Sequence, residues 1–333
     1  QDGRPGHDHL SEGVVSALNR LRPRRVVRLP VRRRRQVPVR VLAAGASIIG
    51  PANVLRLGYG LAPAHLPAAD LVISAGGNTA QANIAAATLL RAENIFCGTV
   101  RHAAPTAFSA VVSSYADHAH LPRHVVTIKP SAVDPDAFPH PDSNASSHGP
   151  RRPLLIIGGT SGLFTYTQAE WDALAALIAA DQTQREGAEK SPPRWSISTS
   201  PRTPPEAYAA FAGLQAGGQL HAFVDFRTSG PGTLPPLLAQ CDAVLCTADS
   251  SSMISEAVAA RRPVVGVMPV SHGFKPEEAS YRALMEGEGW AAFCALAGLT
   301  PAQLRGHWAG LTPMRNNHLD RLAHLLSSHI DVS

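Results

Sequence analysis

The stretch TADSSSMISEAVAARRPVVGV, residues 247–267, sets an aspartate and three serines at the end of a short apolar strand and a glutamate in the first turn of the helix expected to follow. Hydroxyls and the free N–H groups of a helix start suit an anion such as phosphate. A carboxylate one turn along can accept from both hydroxyls of a sugar, so Ser250, Ser251, Ser252 and Glu256 together would grip a ribose diphosphate. Helix capping also accounts for the serines. It does not account for the acid: a capping box needs Glu or Gln three residues after the cap, and from Ser250, Ser251 or Ser252 that position falls on Met253, Ile254 or Ser255. Helical spacing predicts a buried stripe of Met253, Ile254, Ala257 and Val258, with Ser252 and Glu256 on the opposite face near the helix mouth.

Four other segments have the same small, hydroxylated or glycine-rich character: DGRPGH (2–7), SAGGNT (74–79), GGTSG (158–162) and STSPRT (198–203). Each can bring backbone N–H groups up to an anion. They need strands to position them. Apolar runs at 39–44, 70–76, 93–98, 109–114 and 124–129 read as strands, with an alanine-rich helix over 78–92. Residues 135–153 are rich in Pro, Ser and His and read as a linker. The alternation then restarts with strands at 153–159, 194–199, 221–226, 243–248 and 263–269 and helices over 168–180 and 204–214. Short strands alternating with helices predict an α/β protein of two Rossmann-like, doubly wound parallel-sheet domains facing a cleft, with ligands at the carboxyl ends of the strands. The expected division is a domain over 1–140, a linker over 141–152, a second domain over 153–315 and a helix within 316–333. The chain opens on Gln1 and a glycine-rich turn, so the first strand of the first domain is expected to be missing.

Composition narrows the function classes. With 333 residues, 44% hydrophobic and 17% charged, the chain can bury full cores. No apolar run is expected to approach the roughly 18 to 20 residues of a membrane span, and no hydrophobic signal segment is visible. Of the net charge of +5, much sits between Arg20 and Arg40, where ten arginines and no acid fall in twenty-one residues. That segment reads as a solvated loop and edge strand, or as a contact for an anionic membrane surface or a phosphate-bearing acceptor. Nucleic acid is excluded as a partner, because the segment has no aromatic residue and the chain only 5% of them. Cys97, Cys241, Cys246 and Cys294 lie far apart in apolar segments and read as buried thiols. The clusters HDH (7–9) and DHAHLPRH (117–124) lack zinc-site spacing, so no metal is expected. Asn144-Ala-Ser146 matches a glycosylation acceptor and reads as chance, and no nucleophile elbow or phosphate loop ending in Gly-Lys is present.

DGRPGHDHLSEGVVSAL, SAGGNTA, IGGTSGLFTYT, ISTSPRTP and the opening stretch, in this order over nearly the whole chain, resemble the mitochondrial-fission ("elongated mitochondria") family. Its bacterial members are mostly described as glycosyltransferases. The family is similar to the GT-B glycosyltransferases, including the enzyme that adds N-acetylglucosamine to the lipid-linked peptidoglycan precursor. The resemblance implies two Rossmann-like domains, a nucleotide-diphosphate sugar as donor substrate, no bound cofactor or metal, and a glycan or lipid-linked acceptor. It implies donor contacts from Gly159, Thr160, Ser161, Gly162, Arg202, Ser250, Ser251, Ser252 and Glu256, with Gly6 and His7 on the acceptor side. Two departures stand out. Retaining GT-B enzymes often carry two acids with seven residues between them at this helix, whereas Asp249 and Glu256 have six between them. The plant member of the family recruits the fission machinery, so membership does not imply catalysis.

Transfer of a sugar to a hydroxyl calls for a base, and His7 or Asp8, on a loop aimed at the cleft, are the candidates. Arg202 and the helix end near Ser252 would balance the departing diphosphate, with Arg101 and Lys129 as further cations. The expectation is a metal-independent glycosyltransferase acting on a membrane-associated or envelope-glycan acceptor, cytoplasmic and peripheral to the membrane. The alternative is a non-catalytic, membrane-associated adaptor with the same fold.

Overall fold

The computed structural model describes residues 1–138, 149–186 and 194–331. The Asn144–Ser146 acceptor and residues 141–148 of the expected linker lie outside the described residues. The chain divides into two units, Gln1–Ala132 with Asn316–Ser333, and Val133–Arg315.

The first unit holds α1 (Pro5–Leu21), α2 (Val39–Tyr59), β1 (Leu71–Ala75), α3 (Ala80–Leu90), β2 (Glu93–Cys97), β3 (Ala110–Ser113) and β4 (His124–Val126). The four strands form one parallel sheet in the order β1-β2-β3-β4. Val14, Ala17 and Leu18 of α1 bury against Ile95, Val112 and Val125 of the sheet, together with Leu319, Leu322 and Leu326 from the C-terminal segment. On the other face Phe96 stacks on Phe108 at 5.1 Å beside Ala80. Buried polar groups are matched: Asn83 donates to Ser74 Oγ and to the Ile95 carbonyl, both at 3.0 Å, and accepts from Asn94 at 2.9 Å.

Several expectations fail in this unit. Residues 39–44 are not a strand but the start of α2. Six apolar residues fit either period, and length decides: the apolar run goes on past 44, with Leu42, Val54, Leu55 and Tyr59 packing on Ala82 and Ala85 of α3. The arginine-rich segment holds no edge strand either; residues 22–34 run as an irregular, mostly exposed strap. Against the expectation that no apolar run approaches a membrane span, α2 is long and apolar enough to cross one by length and composition alone. Gly50 breaks it, however, with φ 73° and ψ 162° ahead of Pro51. The two halves fold back on each other, so that a Cβ on Gly58 would meet Leu42 at 2.6 Å.

The second unit runs β5 (Pro153–Ile156), β6 (Phe164–Thr165), α4 (Gln168–Glu186), β7 (Ser196–Ser198), α5 (Pro205–Ala216), β8 (Ala222–Val224), α6 (Phe226–Ser229), α7 (Leu234–Gln240), β9 (Ala243–Thr247), α8 (Ser251–Ala259), β10 (Val264–Met268), β11 (Ser271–His272), α9 (Pro276–Gly287), β12 (Ala291–Ala295) and α10 (Pro301–Ala309). A last helix, α11 (His318–Ser327), returns to the first unit and packs its leucines beside α1. Six parallel strands form the sheet β12-β10-β9-β5-β7-β8, while β6 and β11 make a small antiparallel pair. The near-unbroken apolar strands are buried on both faces, as parallel sheets require. From β5 the chain winds outward through β7 to β8, then crosses back to place β9 on the other side of β5. This reversal puts a topological switch point between β5 and β9, where the loops leaving the two strands diverge.

Candidate functional site

Three loops converge at the carboxyl ends of β5, β7 and β9. The Gly158 N–H donates to Thr247 Oγ1 at 2.7 Å, tying the β5 loop to the end of β9. Ser200 Oγ donates to the Gly158 carbonyl. Thr203 Oγ1 donates to the carbonyls of Ile157 at 3.1 Å and Gly158 at 3.2 Å. Arg202 Nη1 then pairs with Asp249 Oδ2 at 2.7 Å, the carboxylate fully buried and the guanidinium 40% exposed. Burial pushes the Asp249 carboxyl above the usual carboxylate range, and Arg202 only partly offsets it. Asp249 thus holds Arg202 in place at the rim of the loops.

The glycines here are space requirements. A Cβ on Gly158 would sit 2.4 Å from Asp249 Oδ2, and one on Gly159, at φ +134°, 2.1 Å from the Arg202 carbonyl oxygen. Beyond them Ser161 and Phe164 exchange backbone hydrogen bonds at 3.1 and 2.9 Å, turning Thr160, Ser161 and Gly162 outward.

Across the switch point, Ser250 is the N-cap of α8, yet its side chain makes no capping bond; it lies 3.4 Å from Ser252 Oγ instead. Capping is therefore not what Ser250 does. The helix start is held from behind. Tyr166 Oη donates to the Val267 carbonyl at 2.7 Å and accepts from the Ala248 N–H at 3.0 Å, and Arg282 Nη2 donates to the Ala248 carbonyl at 2.5 Å. Ser255 Oγ bonds the Ser251 carbonyl at 2.6 Å and Tyr281 Oη at 2.7 Å. Glu256 sits in the second turn of α8, not the first, and is only 7% exposed. The helix is buried on all sides from Ile254 to Ala259, whereas Met253 is half-exposed, so the expected split into a buried stripe and an opposite face does not hold.

In the first unit, His7 and Asp8 are not on a loop: they are the third and fourth residues of α1. His7 Nδ1 lies 3.0 and 3.1 Å from the two oxygens of Asp2, whose side chain is 5% exposed. With Asp2 accepting from Nδ1–H, the lone pair falls on Nε2, the arrangement a general base needs. The imidazole rests against Gly76 in the loop after β1, where a Cβ would meet the ring at 2.2 Å. Asp8 is different: its Oδ1 is buried with no hydrogen-bond partner among the described residues, and burial raises its carboxyl. Neither Asp2 nor the pairing of Asp249 with Arg202 was expected from the sequence. DGRPGH already contained the acid five residues before His7. Among the described residues no group of three or more His, Cys, Asp or Glu is close enough to hold a metal ion.

No curated protein matches this sequence. Among solved structures, MurG of Acinetobacter baumannii is 15% identical with a TM-score of 0.52, over 98% of each chain. A Listeria monocytogenes protein described as a UDP-N-acetylglucosamine 2-epimerase is 12% identical with a TM-score of 0.50, over 94% of this chain and 90% of that chain. The Methanocaldococcus jannaschii UDP-GlcNAc 2-epimerase, in complex with UDP-GlcNAc and UDP, is 11% identical with a TM-score of 0.49, over 97% of both chains. At these identities the first two likenesses establish the fold, two Rossmann-like domains of the GT-B kind. Residues 5–310 match the family model described as Mitochondrial fission ELM1, and the chain belongs to that family.

Proposed function

We propose that this protein is a GT-B-type glycosyltransferase that moves a sugar from a nucleotide-diphosphate donor to a lipid-linked or envelope-glycan acceptor. The observation that carries the reading is the set of loops at the β5/β9 switch point. Gly158, Gly159, Arg202 and Asp249 lock them together beside an α8 start whose N-cap serine makes no side-chain capping bond. A diphosphate suits that helix end, and Thr160, Ser161, Gly162, Arg202, Ser250, Ser251 and Ser252 are its proposed contacts. Glu256 is proposed to accept from the ribose. Positive charge from Arg202 and the helix end would stabilise the departing diphosphate without a metal. His7, oriented by Asp2, is the proposed base for the incoming hydroxyl, in preference to Asp8. The epimerase named among the structural neighbours supports a nucleotide sugar as the ligand class.

Calorimetric titration with a panel of nucleoside diphosphates tests the reading. Saturable binding of one of them, weakened at least tenfold, or about 1.4 kcal/mol, by Glu256→Ala, is the expected result. Failure of the intact protein to bind any of them removes the transferase reading and leaves the membrane-associated adaptor. We also place the protein at the cytoplasmic face of a membrane, held by the arginines of residues 20–40.

A further inference from the structure

Among the described residues, the face of α2 that points away from α3 has no cover within its own unit. In the first half of the helix, residues 39–49, Leu42 is buried and Ala46 and Ile49 pack into the cluster with α3. The other side carries Val41 at 57% exposure, Ala44, and Ile48 at 85%. Their i, i+3, i+7 spacing makes a second apolar stripe. No charged residue occurs from 41 to 55. A surface helix of a soluble protein normally turns charges outward on the side opposite its core contact, and this one turns outward an isoleucine and a valine.

The surroundings say what the stripe fits. Of the ten arginines from Arg20 to Arg40, all but Arg24 and Arg33 are exposed. Among the described residues, only Arg20 and Arg28 of the ten form ion pairs, with Asp320 and Glu12. Arg32, Arg34, Arg35 and Arg40 lead directly into the apolar half-helix. A second copy of the chain is a poor occupant, since pairing this face with itself would bring two arginine arrays together. An anionic bilayer offers both an apolar interior for Val41 and Ile48 and phosphate headgroups for the guanidinium groups.

We propose that residues 39–49 of α2 form an in-plane membrane anchor, lying at the headgroup boundary of an anionic bilayer with Val41, Ala44 and Ile48 inserted and the flanking arginines on lipid phosphates. This deepens the membrane reading above by naming the inserting residues. The break at Gly50 is what allows it. A straight 21-residue rod would compete to span the bilayer, whereas a folded-back pair of half-helices keeps one side on α3 and offers the other to lipid.

Co-sedimentation of the full chain with vesicles tests this, using phosphatidylcholine alone and phosphatidylcholine mixed with phosphatidylglycerol. Binding is expected only to the mixed vesicles and should weaken with salt. Ile48→Asp should lower it at least tenfold, and Val41→Ser several-fold. Each Arg→Gln change at Arg32, Arg35 or Arg40 should cost up to about fivefold. Both apolar positions are exposed, so the variants should keep the wild-type unfolding temperature and nucleoside-diphosphate affinity. Loss of nucleotide binding alone would sink the transferase proposal and leave the anchor standing. Wild-type vesicle binding by Ile48→Asp would overturn the anchor, leaving only the arginines. So would failure of the wild type to bind the mixed vesicles, or a concentration-dependent dimer that Ile48→Asp dissolves.

Discussion

Replacing Gly159 by alanine is the sharpest perturbation of the loop cluster. The glycine has φ +134°, and its Cβ would lie 2.1 Å from the Arg202 carbonyl oxygen. Forcing an L side chain into a positive φ costs about 1–2 kcal/mol. Relieving the clash requires the 157–159 and 200–203 segments to separate by about 1 Å, which loosens the bonds from Ser200 and Thr203 to the carbonyls of residues 157 and 158, each worth about 1 kcal/mol. The sum is about 4–5 kcal/mol, which for a unit of this size lowers the unfolding midpoint by roughly 10–15 °C. The same movement shifts Arg202, so affinity for a nucleoside diphosphate should fall at least tenfold. Gly162→Ala is the control: nothing lies within 4 Å of a Cβ there, and its stability should stay within about 0.5 kcal/mol of wild type. The assay is thermal unfolding with and without nucleotide, paired with calorimetric titration. Equal midpoints for wild type and Gly159→Ala, or equal losses for Gly159→Ala and Gly162→Ala, would refute the claim that the three loops are locked by close backbone approach.

Three further outcomes follow from particular side chains. Asp2→Ala, which removes the acceptor that orients His7, should cut the transfer rate about 100-fold or more while leaving the donor dissociation constant unchanged; an unaltered rate would take His7 out of the role of base. Hydrogen bonds from Arg227 hold Asp225 at about 2, below its ordinary 3.8. Its stabilising contribution is therefore present above about pH 4 and lost as pH falls toward 2, so Asp225→Ala should melt earlier than wild type at neutral pH, with the difference vanishing in acid. Burial pushes Cys97 and Cys241 up to about 12 and Cys294 to about 11, so native protein at pH 8 should react slowly with a thiol reagent, the half-buried Cys294 first; rapid labelling of all four would contradict the core packing.

The loops at 158–162, 198–203 and 247–252 were legible because a parallel strand must end in a loop at the ligand-bearing edge of its sheet, and their glycines and hydroxyls stand out against the apolar strands. Their mutual geometry was not. Arg202 and Asp249 meet only because β9 inserts beside β5, and strand order leaves no local trace in the residues. Asp2 escaped notice because its tie to His7 depends on Pro5 starting a helix that turns the chain back on itself. Residues 39–44 misled through length: six apolar residues satisfy either period, and the decision lay in the residues beyond them. Glu256 was placed by helical period, but the face opposite the apolar stripe proved to be interior as well.

The return of α11 to the first unit bears on the order of events during synthesis. Val133–Arg315 is continuous in sequence, so its six-stranded sheet can close while the ribosome is still translating. The core built by Val14, Leu18, Ile95 and Val112 receives Leu319, Leu322 and Leu326 only at the end. These contacts bridge about three hundred residues, as in the pairing of Arg20 with Asp320, and such separations are the slowest to close. Until they do, the nascent first unit exposes the apolar faces of α1 and its sheet, which makes it the half of the molecule most in need of a chaperone.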